Sequence, residues 1–190
     1  MPLIHLPVQS GSNKILEAMN RKHTIEEYLG IVEKLNKLNS SIRFSSDFII
    51  GYPGETLEDF KKTEKLIKNV QYINSYSFIF SARPGTPAFK LEKVNQSEAK
   101  ERLISFQSLA EEIKTKYRKT LIGEISNVLF ENKTKEGNKY FGRDEYLNSV
   151  IVKSKENLVG KIKKVKITSG NHNTLYGEIF INLSQDNYAA

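Results

Sequence analysis

The 190-residue sequence contains no cysteine. This absence excludes disulfides, thiolate-bound zinc and cysteine-ligated iron–sulfur clusters within the chain. Histidine is also scarce: His5, His23 and His172 are the only three, and they show no spacing typical of metal ligands. The sequence therefore predicts no metal site of its own.

Long apolar runs are missing as well. No run approaches the roughly 20 residues that a membrane-spanning helix requires, and the N-terminus lacks the basic start and apolar core of a signal peptide. We therefore expect a cytoplasmic location and no membrane partner. A hydrophobic fraction of 38% beside 27% charged residues is typical of a folded protein, and the net charge of +7 mildly favours a polyanionic partner such as nucleic acid.

The first two thirds of the sequence alternate between strand-like and helix-like patterns. Short apolar runs predict strands over residues 3–8, 44–50 and 73–81. Amphipathic stripes predict helices after Ser12, Thr24 and Thr56, and a longer helix over about 97–121. Because strands and helices alternate, we expect parallel strands joined by right-handed crossovers.

Three glycine-containing turns follow the predicted strands: QSGS, GYPGET and SARPGTPA. The carboxyl ends of parallel strands meet at one edge of a sheet, and α/β folds bind their ligands at that edge. Three strand–helix units do not close a barrel. We therefore expect half of a barrel, with further strands N-terminal to Met1 covering the open sheet edge.

After Gly123 the pattern changes to short strands separated by polar turns. Strands are predicted over residues 125–130, 139–142, 149–152, 158–167 and 175–181. Such a pattern is typical of a small antiparallel barrel. We place the boundary near Leu121, which gives an α/β domain over residues 1–121 and an all-β domain over residues 122–190.

Candidate ligand-binding residues lie in the first two turns. Ser10 and Ser12 open a helix and could hold a carboxylate, a phosphate or a ribose hydroxyl, although a simple N-cap also explains Ser12. Gln9 has the same ambiguity. Gly51 lets the backbone approach a flat ligand, and Glu55 lies at a helix N-terminus, where the helix dipole alone favours an acid.

Arg83 and Asp47 are the charged candidates. The guanidinium of Arg83 could pair with a ligand carboxylate through two hydrogen bonds, or it could tie its loop to a neighbouring carboxyl group. Asp47, in the middle of a strand, either joins a buried hydrogen-bond network or faces the barrel interior. The sequence leaves both alternatives open.

Lysine and aromatic residues gather in the predicted all-β domain. Basic strands interleaved with aromatic residues can grip phosphates and stack on bases. Alternating lysines also protect an exposed strand from aggregation, so the pattern has two explanations. The residues that we predict as RNA contacts are Arg143, Lys153, Lys161 and Lys163.

Several motifs occur together in this sequence. HLPVQSGS begins at His5, SDFIIGYPGETLEDF at Ser46 and FIFSARPGTPA at Phe78. Their order and spacing resemble the methylthiotransferase branch of the radical S-adenosylmethionine (SAM) superfamily, in particular its tRNA-modifying members. Residues 1–120 resemble the last three strands of the partial (β/α)6 radical SAM barrel, and residues 122–183 resemble the C-terminal TRAM domain.

This resemblance implies a function. Family members use SAM and [4Fe–4S] clusters to add a methylthio group to C2 of N6-isopentenyladenosine in the anticodon stem-loop of tRNA. By resemblance, the TRAM domain binds the tRNA, and SAM or substrate lies against the three turns. The residues implied in cofactor binding are Gln9, Ser10, Ser12, Gly51, Tyr52, Glu55 and Arg83.

One feature departs from the family. Family members hold their clusters with a CxxxCxxC loop and with further cysteines in an N-terminal domain, and this sequence has neither. We therefore expect a C-terminal part or truncated product of such an enzyme that is inactive by itself. Two alternatives are a stand-alone RNA-binding module, and a subunit that completes a split barrel with the missing cysteine-bearing N-terminal half.

Overall fold

The structure, a computed structural model, describes residues 1–181. It divides into two compact units, Pro2–Lys114 and the segment from Thr115 onward. The predicted boundary at residues 121/122 remains a prediction, and the last nine residues of the predicted second domain, 182–190, lie outside the described part. No helix among residues 1–181 is both long and apolar enough to cross a membrane.

The first unit contains a three-stranded sheet in the order β1-β2-β3, and both strand pairs are parallel. This confirms the predicted crossover topology. The strands are β1 (Leu3–His5), β2 (Arg43–Ile50) and β3 (Asn74–Ile79), and the helices are α1 (Asn13–Ala18), α2 (Ile25–Leu38), α3 (Leu57–Val70) and α4 (Gln96–Thr120), with a short 3-10 turn at Pro87–Lys90.

Two capping boxes fix where α2 and α3 begin. The Thr24 hydroxyl accepts a hydrogen bond from the Glu27 amide, and the Glu27 side chain accepts one from the Thr24 amide. Thr56 and Asp59 repeat this arrangement at the start of α3. Each box satisfies two backbone donors that a helix end leaves free, so both starts follow from local sequence.

The helices cover only one face of the sheet. Phe44, Phe48 and Ile50 alternate along β2 and are buried against side chains of α2, α3 and α4. The residues between them point to the opposite face, which β3 continues with Tyr76 and Phe78. Tyr76 is 52% and Phe78 60% exposed, so this second face is open to ligands.

A one-residue bulge interrupts the pairing of the β1 segment with β2. His5 pairs with Ser45, whereas Gln9 pairs with Phe48, so four steps on one strand match three on the other. Pro7 lies in this gap and has no N–H to donate. The buried Ser46 hydroxyl fills the gap, because it donates to the Leu6 carbonyl at 2.9 Å and accepts from the Val8 amide at 3.0 Å.

The second unit contains a closed five-stranded barrel with the strand order β4-β5-β6-β8-β7. The predicted small barrel is confirmed. Four of its strand pairs are antiparallel, whereas β6 and β8 run parallel. The strands are β4 (Ile125–Lys133), β5 (Lys139–Asp144), β6 (Ser149–Lys153), β7 (Ile162–Gly170) and β8 (Leu175–Ile179).

Tight closure of the barrel depends on Gly142, on the inner side of β5. A Cβ at this position would lie 2.4 Å from the Leu129 carbonyl oxygen, a distance that only glycine avoids. One predicted boundary is wrong: β7 begins at Ile162 and not at Leu158. Leu158 belongs to the preceding turn and is nevertheless buried in the barrel core, which explains why its apolar character suggested a strand.

Phe48 and Phe78 offer a matched test of this one-sided sheet. Phe48→Ala should lower the free energy of unfolding by about 3–5 kcal/mol, because it leaves a cavity in the core. Phe78→Ala should change it by less than about 0.5 kcal/mol, because its ring is exposed. Urea unfolding of the full chain measures both. Equal losses from the two variants would contradict the assignment of the open face.

Candidate functional site

The three glycine-containing turns meet at one edge of the sheet. Since β1, β2 and β3 are parallel, the chain leaves all three strands on the same side. The Phe80 amide extends the pairing beyond β3 with a 2.8 Å hydrogen bond to the Ile50 carbonyl. The three turns therefore lie at one edge of the sheet, as the sequence predicts, and this edge is called the rim below.

An open cavity of about 450 Å³ lies at this rim, on the face of the sheet that the helices leave uncovered. Its polar lining residues are Gln9, Asp47, Ser81, Arg83 and Thr86. Its apolar wall includes Ile49, Phe78 and Ala88. The volume and the mixture of a few polar groups with apolar surface suit a small-molecule ligand.

Gln9 reaches the cavity through an unusual backbone conformation. Its φ is +76°, in the left-handed region that residues other than glycine rarely adopt. Two hydrogen bonds hold it there: its amide donates to the Asp47 carbonyl at 3.0 Å, and its carbonyl accepts from the Ile49 amide at 2.9 Å. Strain of this kind persists only where the surroundings enforce it, and it is concentrated at functional sites.

Arg83 lies on the exposed loop after β3. Within residues 1–181 its guanidinium makes no hydrogen bond or ion pair, whereas its carbonyl accepts from the Thr86 amide and hydroxyl. The described residues thus give no support to the alternative that Arg83 ties its loop to a neighbouring carboxyl group. The guanidinium remains available to an anionic group in the cavity.

Asp47 is on the open face and not in the helix-covered core. Its carboxylate lies 3.5 Å from Nε2 of His5, whose Nδ1 lies 2.9 Å from the Ser45 hydroxyl. Asp47 is thus partly exposed and paired with His5, and it is not part of a fully buried network. His5, Ser45 and Asp47 form a short polar row leading toward the cavity.

Ser10 and Ser12 are buried and already engaged in hydrogen bonds. The Ser12 hydroxyl donates to Oδ1 of Asp59 at 2.7 Å, and the Ser10 hydroxyl accepts from the Ser12 amide at 3.2 Å. Ser12 occupies the N-cap position of α1, but its side chain makes no capping hydrogen bond. These hydroxyls join the first turn to α3.

Asp59 is the centre of this buried network. Its carboxylate accepts from the Thr56 amide at 3.0 Å and from the Thr56 hydroxyl at 2.7 Å, and Nζ of Lys14 lies 3.2 Å away. Burial alone would raise the pKa of Asp59. The hydrogen bonds from Ser12, Thr56 and Lys14 outweigh it and hold the pKa well below its usual range.

Gly51 and Tyr52 shape the second turn. Gly51 has a φ of +71°, and a Cβ there would lie 2.8 Å from the Ala99 side chain, so α4 can approach only a glycine. The Tyr52 hydroxyl donates to the Ala18 carbonyl at 2.9 Å. Its ring packs against Phe80 with the centroids 4.7 Å apart. The second turn is thus fixed by contacts with α1, α4 and the end of β3.

Glu55 forms a buried ion pair with Arg102 of α4. Oε1 of Glu55 accepts from Nη1 of Arg102 at 2.8 Å and from the Gly51 amide at 3.1 Å. Arg102 also pairs with Glu98. Burial raises the pKa of Glu55, while the hydrogen bonds from Arg102 and Gly51 act in the opposite direction. The Glu55 carboxylate therefore makes its contacts inside the fold.

The predicted cofactor contacts thus divide into two groups. Gln9 and Arg83 line the open cavity, whereas the side chains of Ser10, Ser12, Tyr52 and Glu55 hold the turns in place. Sequence reasoning missed the buried partners Asp59 and Arg102. Asp59 carried a usable signal, because it lies three residues after Thr56 in a capping-box pattern. The contact of Arg102 with Glu55 had no signal in the sequence, since the two residues are 47 positions apart.

The predicted RNA contacts lie on β5, on β6, on β7 and just before β7. Arg143 and Lys153 are exposed on β5 and β6, which pair with each other. Lys161 is exposed just before β7, and Lys163 is half-buried on the side of β7 that also carries Val165. Arg143 pairs with Leu129 on β4, and Leu129 pairs with Ile162 on β7, so Lys161 is the sequence neighbour of a row that begins at Arg143.

Two family models match this chain. The radical SAM superfamily matches residues 1–67, and the TRAM domain matches residues 119–180. Relatives named tRNA-2-methylthio-N(6)-dimethylallyladenosine synthase are also similar. The Pelagibacter ubique protein is 56% identical over 94% of this chain, that of Wolbachia pipientis subsp. Culex pipiens 47% over 93%, and that of Buchnera aphidicola subsp. Baizongia pistaciae 47% over 92%.

These matches confirm the resemblance. The chain is similar to the C-terminal part of members of the methylthiotransferase branch of the radical SAM superfamily. Within that branch it is similar to the tRNA-2-methylthio-N(6)-dimethylallyladenosine synthases. It spans about 40% of the length of these curated relatives.

Replacing Asp59 tests the network that joins the first turn to α3. Because its pKa is lowered in the folded chain, Asp59 stabilises the fold above its unfolded pKa of about 3.9 and loses this effect as the pH falls. Asp59→Asn should therefore cost roughly 1–3 kcal/mol at pH 7.

The cost of Asp59→Asn should shrink steadily below about pH 4. Urea unfolding of both proteins between pH 3 and 7 measures it. Asp47→Asn is the control, because that carboxylate lies on the open face. A cost that is independent of pH would show that the charge of Asp59 is unimportant.

Proposed function

We propose that this chain forms the C-terminal part of a tRNA methylthiotransferase, which adds a methylthio group to C2 of N6-isopentenyladenosine in the tRNA anticodon loop. In this proposal the first unit supplies part of the SAM and substrate cavity, and the barrel binds tRNA. The observation that carries it is the cavity at the strand ends, with the exposed Arg83 and the largely buried Gln9 among its lining residues.

The residues of the cavity suit one end of SAM. A free guanidinium can hold a carboxylate with two parallel hydrogen bonds, and an amide can donate or accept beside it. Arg83 and Gln9 would hold the carboxylate-bearing end, and by the family resemblance the backbone of Gly51 and Tyr52 would contact the adenine. When bound, SAM supplies the radical chemistry that is typical of the family.

The buried groups of the rim have a supporting role in this proposal. Ser12 and Asp59 fix the first turn relative to α3, and Glu55 and Arg102 fix the second relative to α4. These pairs would keep Gln9 and the second turn in position without touching the ligand. Preorganisation of this kind reduces the cost of binding.

The chain does not fit an iron–sulfur cluster of its own. It has no cysteine in any of its 190 residues, and among the described residues no group of three or more His, Asp or Glu side chains could hold a metal ion. In this proposal the cluster ligands come from the part of the enzyme that this chain does not match.

A chimera tests the proposed activity. The full chain is fused behind the N-terminal part of the Pelagibacter ubique relative that it does not match, and 2-methylthiolation of tRNA is measured by nucleoside mass spectrometry. The chimera should be active, and the chain alone inactive. An inactive chimera beside an active, intact relative would contradict the proposal, provided that the chimera folds.

The same chimera tests the assigned contacts. Arg83→Ala and Gln9→Ala should each lower activity about tenfold or more, because one charge-assisted hydrogen bond contributes roughly 1.5–3 kcal/mol. Arg83→Ala should do so without lowering the melting temperature, because Arg83 is exposed. Lys90→Ala, an exposed cation on the same loop, is the control and should leave activity unchanged. Full activity of Arg83→Ala would rule out its role as a ligand contact.

A further inference from the structure

An apolar row crosses the outer surface of the barrel. Phe141 on β5 pairs with Ile151 on β6, and Ile151 pairs with Tyr176 on β8. Paired residues share a face, and their neighbours along each strand, Gly142, Val150 and Leu175, point inward and are buried. Phe141 and Ile151 are half-buried, and Tyr176 is 38% exposed. Two aromatic rings and one aliphatic side chain thus lie side by side at the surface.

Arg143 borders this row and is held in a fixed position. Its guanidinium carbon lies 5.5 Å from the centroid of the Phe141 ring, which is cation–π geometry. Its Nε lies 3.2 Å from Oε1 of Glu131 on the neighbouring strand. The planar guanidinium therefore extends the apolar row with a second flat, positively charged surface.

Two lysines lie directly opposite each other beside the same row. Lys139 on β5 pairs with Lys153 on β6. This pair lies two residues along the strands from the pair of Phe141 and Ile151 and shares its face. Like charges at paired positions repel each other. Lys139 is partly compensated by Glu136, whereas Lys153 has no ion-pair partner within residues 1–181. An anion bound between the two lysines would remove this repulsion.

From these contacts we infer that Phe141, Ile151 and Tyr176 form a stacking platform for unpaired RNA bases, with Arg143, Lys139 and Lys153 holding the phosphates. The inference rests on the proposed RNA-binding role of the barrel and specifies its site. Aromatic rings stack on any base, but only where the base is unpaired. The platform therefore selects a single-stranded segment, such as a loop, and not an RNA duplex.

Charge and ring content distinguish this surface from an exposed apolar pair on the other side of Arg143, which begins at the cross-strand partner of Arg143, Leu129. Leu129 on β4 and Ile162 on β7 are paired and exposed, the latter at 66%. That pair is aliphatic and offers no ring on which a base could stack. It therefore provides a control for the loss of apolar surface alone.

Binding of a single-stranded RNA to the full chain tests the platform. The probe is an unstructured 12-nucleotide RNA that contains 2-aminopurine, whose fluorescence reports stacking, and fluorescence anisotropy gives the affinity. Phe141→Leu and Tyr176→Leu keep the surface apolar but remove a ring, and each should weaken binding about 5- to 100-fold. Both should also reduce the change in 2-aminopurine fluorescence that accompanies binding. Ile162→Ala should change neither, and melting temperatures verify folding.

The lysines are tested separately by salt titration. Lys153→Ala should weaken binding and reduce the dependence of log affinity on log salt by about 0.7, the value for one phosphate contact to a single strand. A duplex RNA of equal length should bind less tightly than the single strand, and its affinity should not respond to Phe141→Leu.

The possible failures are distinguishable. If the leucine variants bind the single strand as tightly as the wild-type chain, the platform is wrong, while RNA binding by the barrel stands. If they weaken duplex and single strand equally, stacking is likewise the wrong explanation. If the wild-type chain binds neither the 12-mer nor a tRNA anticodon stem-loop, the platform and the proposed RNA-binding role both fail.

Discussion

Parallel pairing of three strands is the constraint on which the first unit depends. It places the ends of β1, β2 and β3 on one side, and helices on one face leave the other face open. Pro7 would break this pairing where β1 approaches the rim. The Ser46 hydroxyl replaces the missing hydrogen bonds, and main-chain pairing resumes at Gln9. The cavity lining thus depends on one buried hydroxyl group.

At the rim, one group of side chains stabilises the turns and another group lines the cavity. Two buried pairs form their hydrogen bonds inside the fold: Ser12 with Asp59, and Glu55 with Arg102. Gln9 and Arg83 face the cavity instead. Buried charges of this type need their partners, since an unpaired one is costly. A ligand that meets only Gln9, Arg83 and the apolar wall would therefore find a surface that needs little rearrangement.

Local signals explain what the sequence predicted well. The capping boxes at Thr24 and Thr56 and the alternation along β2 involve residues close together in sequence. Interactions over long sequence distances were invisible: Ser12 was predicted as a ligand contact or a helix cap, and its partner Asp59 is 47 residues away. The RNA contacts were predicted from lysine and aromatic residues that lie close together in sequence, and they stay a prediction.

The bulge at Pro7 also limits how this protein can change in evolution. Deleting one residue between His5 and Gln9 would remove the extra step and with it the gap that the Ser46 hydroxyl fills. Insertions and deletions should therefore be rare there among descendants of this sequence. The exposed turn between β4 and β5 has no such restriction, and length variation should accumulate in it.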